Sequence, residues 1–449
     1  MKPLFNAWIK LNMSKLGDFT FVTKLAGFEH TNYIQGNCLH EKISDDYIPL
    51  FIGKTVKNGR IDTSFDWYVP KSLSDKLPRS KLNKKCIVLP YVGSVGDLAI
   101  FDGSYEAHLG SNIAKIELND ECPFSEEFIY YFLKSPYGQS ILLKDIQGAV
   151  QQNITMDAIR NVDIPSFSTD EQEDIVRILK AIDDKIDKNT SLIQELYKTC
   201  EDLFDYWFLQ YNFPDSDNKP YRANKGEMIK DSTSGRTIPA GWSIVYLKDL
   251  VSKEKNAIVD GPFGTQMKIN EYTSEGVPVY EMEQLNNLFI VTRPKHFISE
   301  DKFETIKRSM VKNGDIIISK TGTLGLLGVV RNEQYNKGII VSRLAKITPD
   351  EKKLGKYYLL ILLNKLTKSG YWMAKSGGST MPILNNTLLE NVQIELPNND
   401  LLLKFELIVT PLFEQIYRSQ KSIVEMEKLM NQLLPALISR QARFLKKDI

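Results

Sequence analysis

The sequence is poor in the residues from which metal and redox centres are built. Its 449 residues hold four cysteines, Cys38, Cys86, Cys122 and Cys200, none in a Cys-x-x-Cys pair, and four scattered histidines, His30, His40, His108 and His296. Zinc sites need ligands clustered at set spacings, so no metal is expected. So few thiols in so long a chain fit a reducing cytosol and not a disulfide framework. No run approaches the roughly 18 apolar residues of a membrane span, and residues 1–13 lack the apolar stretch of a secretory signal. The expected location is the cytoplasm, with no membrane partner. A P-loop of the form G-x-x-x-x-G-K-[ST] is missing, as are G-x-S-x-G and H-E-x-x-H, which argues against the centres those motifs build. No sign of charge prevails either: 57 basic against 56 acidic residues give a net charge of +1. Local charge must therefore decide whether nucleic acid is a partner.

What the sequence does have is a long internal repeat. Apolar residues fall at Ile175, Leu179, Ile182, Ile186, Ile193, Leu196, Cys200, Leu203 and Trp207, with polar Asn189 in the remaining core position. The steps alternate four and three, a heptad pattern. A second set, Phe405, Val409, Leu412, Ile416, Ser419, Ile423, Met426, Met430, Leu433 and Leu437, lies 230 residues later, residue for residue, and Ser419 repeats the interruption at Asn189. The two stripes predict two long helices packed on each other through Ile182, Ile186, Asn189, Ile193 and Leu196 on one and Leu412, Ile416, Ser419, Ile423 and Met426 on the other. Pro411 sits inside the second pattern and is expected to kink it or mark an interrupted start.

The segments before the stripes repeat as well. Leu16-Gly17-Asp18-Phe19 corresponds to Leu247-Lys248-Asp249-Leu250. Ile87-Val88-Leu89 with the turn 93–96 corresponds to Ile316-Ile317-Ile318 with the turn 322–325. Ser111-Asn112-Ile113-Ala114 corresponds to Ser342-Arg343-Leu344-Ala345. Short β-branched runs with glycine turns read as strands. Residues 128–134 and 357–366 read as helices beside them, so each unit is α+β. Residues 212–241, rich in Pro, Asn, Ser, Gly and Lys, read as a linker with little core of its own.

Charge is partitioned locally. Residues 54–85 carry nine basic residues, among them Arg79 and Lys81, and residues 352–375 carry six lysines and no acid, whereas the first stripe is rich in Asp and Glu. Basic runs in both units fit neutralisation of phosphates. Base edges are read by amide, hydroxyl, Arg or Lys side chains held at a groove, and three loop pairs suit that task. One is Gln151, Gln152 and Asn153, with Ser379 and Thr380 in the second half. Another is the turn with Ser94, facing Lys320, Thr321 and Thr323. The third is the loop 260–266 with Thr265, roughly matched by 23–31. Arg343 completes the set. Asp260-Gly261-Pro262-Phe263 is one residue away from the D-P-P-F motif of adenine methyltransferases. Its second proline is missing, and Gly-Pro followed by Gly264 favours a tight loop. The Pro-Asp pairs at 214–215 and 349–350 lack a well-placed acidic-x-Lys, so no nuclease centre is expected.

Together these features identify a resemblance. The openings Leu16-Gly17-Asp18 and Gly241-Trp242 with Leu247-Lys248-Asp249 carry it. So do the loop Asp260-Gly261-Pro262-Phe263-Gly264, the run 148–153 leading to Ile164-Pro165, and the tails Glu171-Gln172-Glu173-Asp174-Ile175 and 425–434. The chain resembles the specificity subunits of type I restriction–modification enzymes over nearly its whole length. The resemblance implies two tandem α+β target-recognition domains separated by two long antiparallel coiled-coil helices, with pseudo-two-fold symmetry. On this sequence they are 1–168 and 242–398 for the recognition domains, 169–211 and 399–449 for the long helices, and 212–241 for the linker. It also implies double-stranded DNA as partner, read as a bipartite asymmetric site. A modification subunit, typically in two copies, would methylate adenine, and a restriction subunit can join. S-adenosylmethionine, ATP and Mg would belong to those partners, and this chain would hold no cofactor and no catalytic residue. Two other readings stay open at this level: a stand-alone DNA-modifying enzyme, and a helical scaffold without a DNA role.

Overall fold

A computed structural model describes residues 13–144, 153–232, 234–285, 288–376 and 382–442. Two compact units make up the chain, Met1–Asp184 with Glu427–Ile449, and Lys185–Met426. The boundary falls inside both long helices, Thr169–Phe204 and Asn399–Ile438. Each unit therefore keeps part of each helix, whereas the sequence had set the helices apart as segments of their own.

In the first unit, Ile87, Val88 and Leu89 are all fully buried, as a central strand covered on both faces requires. They lie in an antiparallel sheet ordered Thr20–Lys24, Ile113–Leu118, Cys86–Pro90, Ala99–Phe101. A second sheet runs Tyr68–Pro70, Tyr47–Phe51, Ala107–Leu109, Lys81–Leu82, with its middle pair parallel. Helix Glu126–Lys134 starts at Ser125, whose hydroxyl accepts from the Phe128 N–H. It contributes Phe128, Ile129 and Phe132 to the core.

The second unit repeats this topology strand for strand. Its first sheet runs Ile258–Asp260, Leu344–Ile347, Ile316–Ser319, Leu327–Val330, and its second His296–Ile298, Val277–Tyr280, Gly338–Ile340, Met310–Val311. One strand, Phe289–Ile290, is added at the edge of the first sheet, parallel to Leu327–Val330. The α+β class read from the sequence is the one found, and both units carry it.

The long helices pack antiparallel within the second unit. Asn189 Nδ2 donates to Ser422 Oγ at 3.1 Å, Tyr197 meets Phe413, and Phe204 meets Phe405. Ile182, Ile186, Asn189, Ile416 and Ser419 are buried, while Ile193, Leu196, Leu412, Ile423 and Met426 are half-buried. Phe413, stacked on Tyr357 at 4.1 Å, and Tyr417 are buried in place of a strict heptad position. The reason is that helix Lys356–Lys368 also packs here, so the buried stripe is wider than a two-helix seam. In the first unit Arg440 Nη2 donates to Ser166 O and to Glu171 Oε2 at 2.6 and 3.1 Å.

Three expectations need correction. Pro411 does not mark an interrupted start, because its helix runs unbroken from Asn399 to Ile438, with Val409 and Phe413 buried on either side of it. Residues 212–241 are more than a tether. Phe213 stacks on Trp242 and Tyr221, Ile238 is buried, and Met228–Lys230 pairs with Thr237–Pro239. Nor are the basic runs free. Lys365 meets Asp205 at 2.7 Å and Lys368 meets Glu201 at 2.6 Å, so acids at the end of the central helix pair with two lysines of the second run from a distance in sequence. In the first run Lys54, Lys71, Lys81 and Lys85 all have carboxylate partners.

Candidate nucleic-acid interface

The first sheet of each unit ends in a frame of backbone hydrogen bonds, and the two frames match. In the first unit the Tyr91 N–H donates to Asn112 O at 3.0 Å and the Ile154 N–H to Tyr91 O at 2.9 Å. In the second, the Lys320 N–H donates to Arg343 O at 2.8 Å and the Leu384 N–H to Lys320 O at 3.0 Å. Strand register gives the same correspondence: Ala114 pairs with Lys24 and Leu89, and Ala345 with Asp260 and Ile318. Lys24 thus answers to Asp260, Tyr91 to Lys320, Asn112 to Arg343, and Asn153 to Ile383.

A glycine turn projects from each frame. Gly93 and Gly96 have φ of 85° and 96°, and Gly322 and Gly325 of 73° and 81°, the left-handed region that favours glycine. Each turn is tied from behind by a helix. Gln139 Nε2 donates to Gly96 O at 2.9 Å, and Thr367 Oγ1 donates to Gly325 O at 2.8 Å. The turns are therefore fixed presentations of Ser94 and Thr323, both exposed.

Most of the site residues read from the sequence meet at these two strand ends. In the first unit Ser94 and Asn153 are exposed, and Asn153 is bridged to Val92, two residues before Ser94. In the second, Thr323 and Arg343 are exposed, Thr321 is half-buried, and the loop with Thr265 begins where Gly261 N–H donates to Leu344 O at 3.0 Å. Lys320 is buried: its ammonium lies 2.6 Å from Asp260 Oδ1, so it fastens the loop to the turn. Lys81 stands elsewhere, on the second sheet. Its side chain is only 13% exposed, and its ammonium pairs with Asp75 and Glu106 at 2.6 and 2.8 Å. Hydrogen bonds from it to those carboxylates hold its pKa above the usual lysine value. Arg79 beside it is exposed. Gln151, Gln152, Ser379 and Thr380 lie outside the described residues.

Sequence reasoning missed the residues beneath the tips. Lys24 Nζ sits 4.3 Å over the Tyr91 ring, whose hydroxyl burial pushes up in pKa. Asn112 is exposed with φ of 65°. Only the strand register brings these together, and no spacing in the sequence signals it. What the arrangement can do is present amide, hydroxyl and guanidinium groups from a stiff sheet edge, the side-chain chemistry that matches base edges and phosphate oxygens.

Comparison with known proteins agrees with this geometry. The family model described as the type I restriction modification DNA specificity domain matches twice, at residues 34–198 and 239–401. The MjaIX specificity subunit of a type I restriction enzyme of Methanocaldococcus jannaschii is 28% identical over 318 residues, covering 71% of this chain and 69% of that protein. The MjaVIII specificity subunit of the same organism is 22% identical over 384 residues, covering 80% and 84%. The crystal structure of a type I restriction-modification system S subunit from M. genitalium shares the fold with a TM-score of 0.54, at 18% identity over 96% of each chain. With two matches that together span well over half its length, the chain belongs to the family of type I restriction–modification DNA specificity proteins.

Proposed function

We propose that this chain is the DNA-reading subunit of a type I restriction–modification complex, in which each unit reads one half of a bipartite asymmetric site. The observation that carries the reading is the doubled frame: one backbone scaffold, present twice, bearing different exposed groups at matching positions. Asn112, Ser94 and Asn153 stand where the second unit has Arg343, Thr323 and Ile383. Two identical sets would read a symmetric site; two different sets read different bases. Catalysis belongs to partners in this reading. A modification subunit, in two copies, holds S-adenosylmethionine and methylates adenine, and a restriction subunit with ATP and Mg can join. The complex works in the cytoplasm.

The test is reconstitution. The chain alone, given labelled S-adenosylmethionine and duplex DNA, is expected to transfer no methyl group. With its modification subunit it is expected to methylate a split, non-palindromic sequence, read out by sequencing of methylated DNA. Methyl transfer by the chain alone, or a contiguous palindromic site, overturns the reading.

A further inference from the structure

Each frame also displays a bare phenyl ring. Phe28 follows strand Thr20–Lys24 and is 65% exposed; Phe263 follows the matching strand Ile258–Asp260 and is 70% exposed. A single exposed apolar residue is ordinary on a protein surface. These two differ in how firmly the backbone turns beneath them are held and in each following the matching strand of its unit while the sequences around them have diverged.

Phe263 stands on a turn closed at both ends. Its N–H donates to Gln266 Oε1 at 3.0 Å, and the Gln266 N–H returns to Phe263 O at 2.7 Å. Pro262 restricts the backbone before it. Gly261 lies so close to the Val341 carbonyl that a Cβ there would meet the oxygen at 2.1 Å. Asp260 is locked to Lys320, and its carbonyl accepts from Ser309 Oγ at 2.6 Å. Phe28 sits in a short helical turn fixed by similar bonds: the Ala26 N–H donates to Glu29 Oε2 at 3.1 Å, and Thr31 Oγ1 donates to Gly27 O at 3.1 Å. A backbone held this stiffly has little freedom left to lose when a flat partner covers the ring it carries.

We propose that Phe28 and Phe263 are stacking residues, each laid against a base step of the half-site that its own unit reads. Apolar side chains wedge or stack at steps that unstack easily, so each ring adds affinity and a preference for deformable steps without a hydrogen bond. The inference rests on the reading of these strand ends as the DNA-contacting site.

The test uses the full chain assembled with its modification subunit, on a duplex carrying the methylated sequence with 2-aminopurine placed stepwise through one half-site. Phe263→Ala is expected to lower affinity about tenfold, to abolish the 2-aminopurine change on binding, and to leave thermal unfolding and the salt slope unaltered. Phe263→Trp is expected to restore both. Phe28→Ala is expected to act in the other half-site alone. If Phe263→Ala keeps affinity and signal while Arg343→Ala loses base discrimination, the loops read DNA and the stacking role is overturned. If neither variant changes anything, the reading site itself is wrong and the proposal falls with it. If Phe263→Ala instead weakens assembly with the modification subunit in the absence of DNA, the ring seats on protein and the proposal is overturned.

Discussion

At matching positions beneath the two glycine turns, the first unit stacks an exposed ammonium on a ring and the second holds an ion pair whose ammonium side is buried. Lys24 lies over Tyr91 at 4.3 Å; Asp260 and Lys320 lie 2.6 Å apart, with side chains 26% and 11% exposed. The backbone bonds around the two pairs are the same. The frame tolerates opposite electrostatics because it is made by peptide groups, and the side chains only fill what it leaves.

The sharpest way to break the comparison is to remove one partner. Asp260→Asn leaves the Lys320 ammonium buried without a counter-ion and is expected to cost about 2–4 kcal/mol in urea unfolding. The double substitution Asp260→Lys with Lys320→Tyr copies the first unit's pair and is expected to recover most of that loss. If the double variant is as unstable as the single one, the two frames are not interchangeable.

A second contrast lies where each unit's helix meets a long helix. In the first unit neutral Gln172 accepts from the Ser125 N–H at 3.2 Å and donates to Pro123 O at 2.8 Å. In the second, Glu406 accepts from the Tyr357 and Tyr358 N–H groups at 3.1 and 2.9 Å. Burial pushes the Glu406 carboxyl up to about 7, against those hydrogen bonds and nearby Lys356. A carboxyl with a raised folded pKa favours the folded state while protonated, and that contribution is lost as pH rises from the unfolded value, about 4.5, to about 7. Glu406→Gln is therefore expected to flatten this loss and to stabilise the second unit at pH 8 by at most about 3 kcal/mol. The check is thermal unfolding at pH 5 and pH 8. An equal gain at both pH values would mean that the carboxyl is not the source.

Smaller effects are expected at the tips. Arg343→Ala and Asn112→Ala should each relax discrimination by about 1–3 kcal/mol, in different half-sites, measured by competition with single-base variants. Loss in the same half-site would contradict the assignment of one reader to each unit. The smallest effect belongs to Lys24→Ala, about 0.5–1 kcal/mol from the exposed cation–π contact, seen as a slight shift in the urea midpoint of the first unit.

The repeat was legible in the sequence because burial imposes the same pattern twice. Ile87-Val88-Leu89 and Ile316-Ile317-Ile318 are equivalent strands, and the turns that follow them are equivalent turns. The placing of Ser94 and Asn153, and of Thr323 and Arg343, at the same ends of matching strands follows from that repeat. Partners distant in sequence were not legible. Nothing near Lys365 or Lys368 in the sequence announces Asp205 or Glu201, so a basic run looked free when it was paired. For Lys81 the reason is half of this: Glu106 is distant, but Asp75 stands six residues before it. The Phe289–Ile290 strand escaped notice because two residues carry no periodicity. Its place depends on Gln420, whose Oε1 accepts from the Phe289 N–H at 3.2 Å, and on Arg331, bidentate to Glu414 at 2.7 and 2.8 Å.

The frame at the strand ends bears on how such a protein changes over generations. The bonds Tyr91 to Asn112 and Lys320 to Arg343 run from amide to carbonyl, so replacing the side chain at 112 or 343 leaves them intact. Exchanges at exposed Arg343 are then close to neutral for folding, whereas at Asn112, whose φ of 65° is left-handed, side chains other than those of Gly, Asn or Asp add about 1–2 kcal/mol of strain. On the function proposed above, the second unit can thus change its preferred base at 343 through intermediates that fold, while the first is confined at 112 to the few residues its backbone accepts.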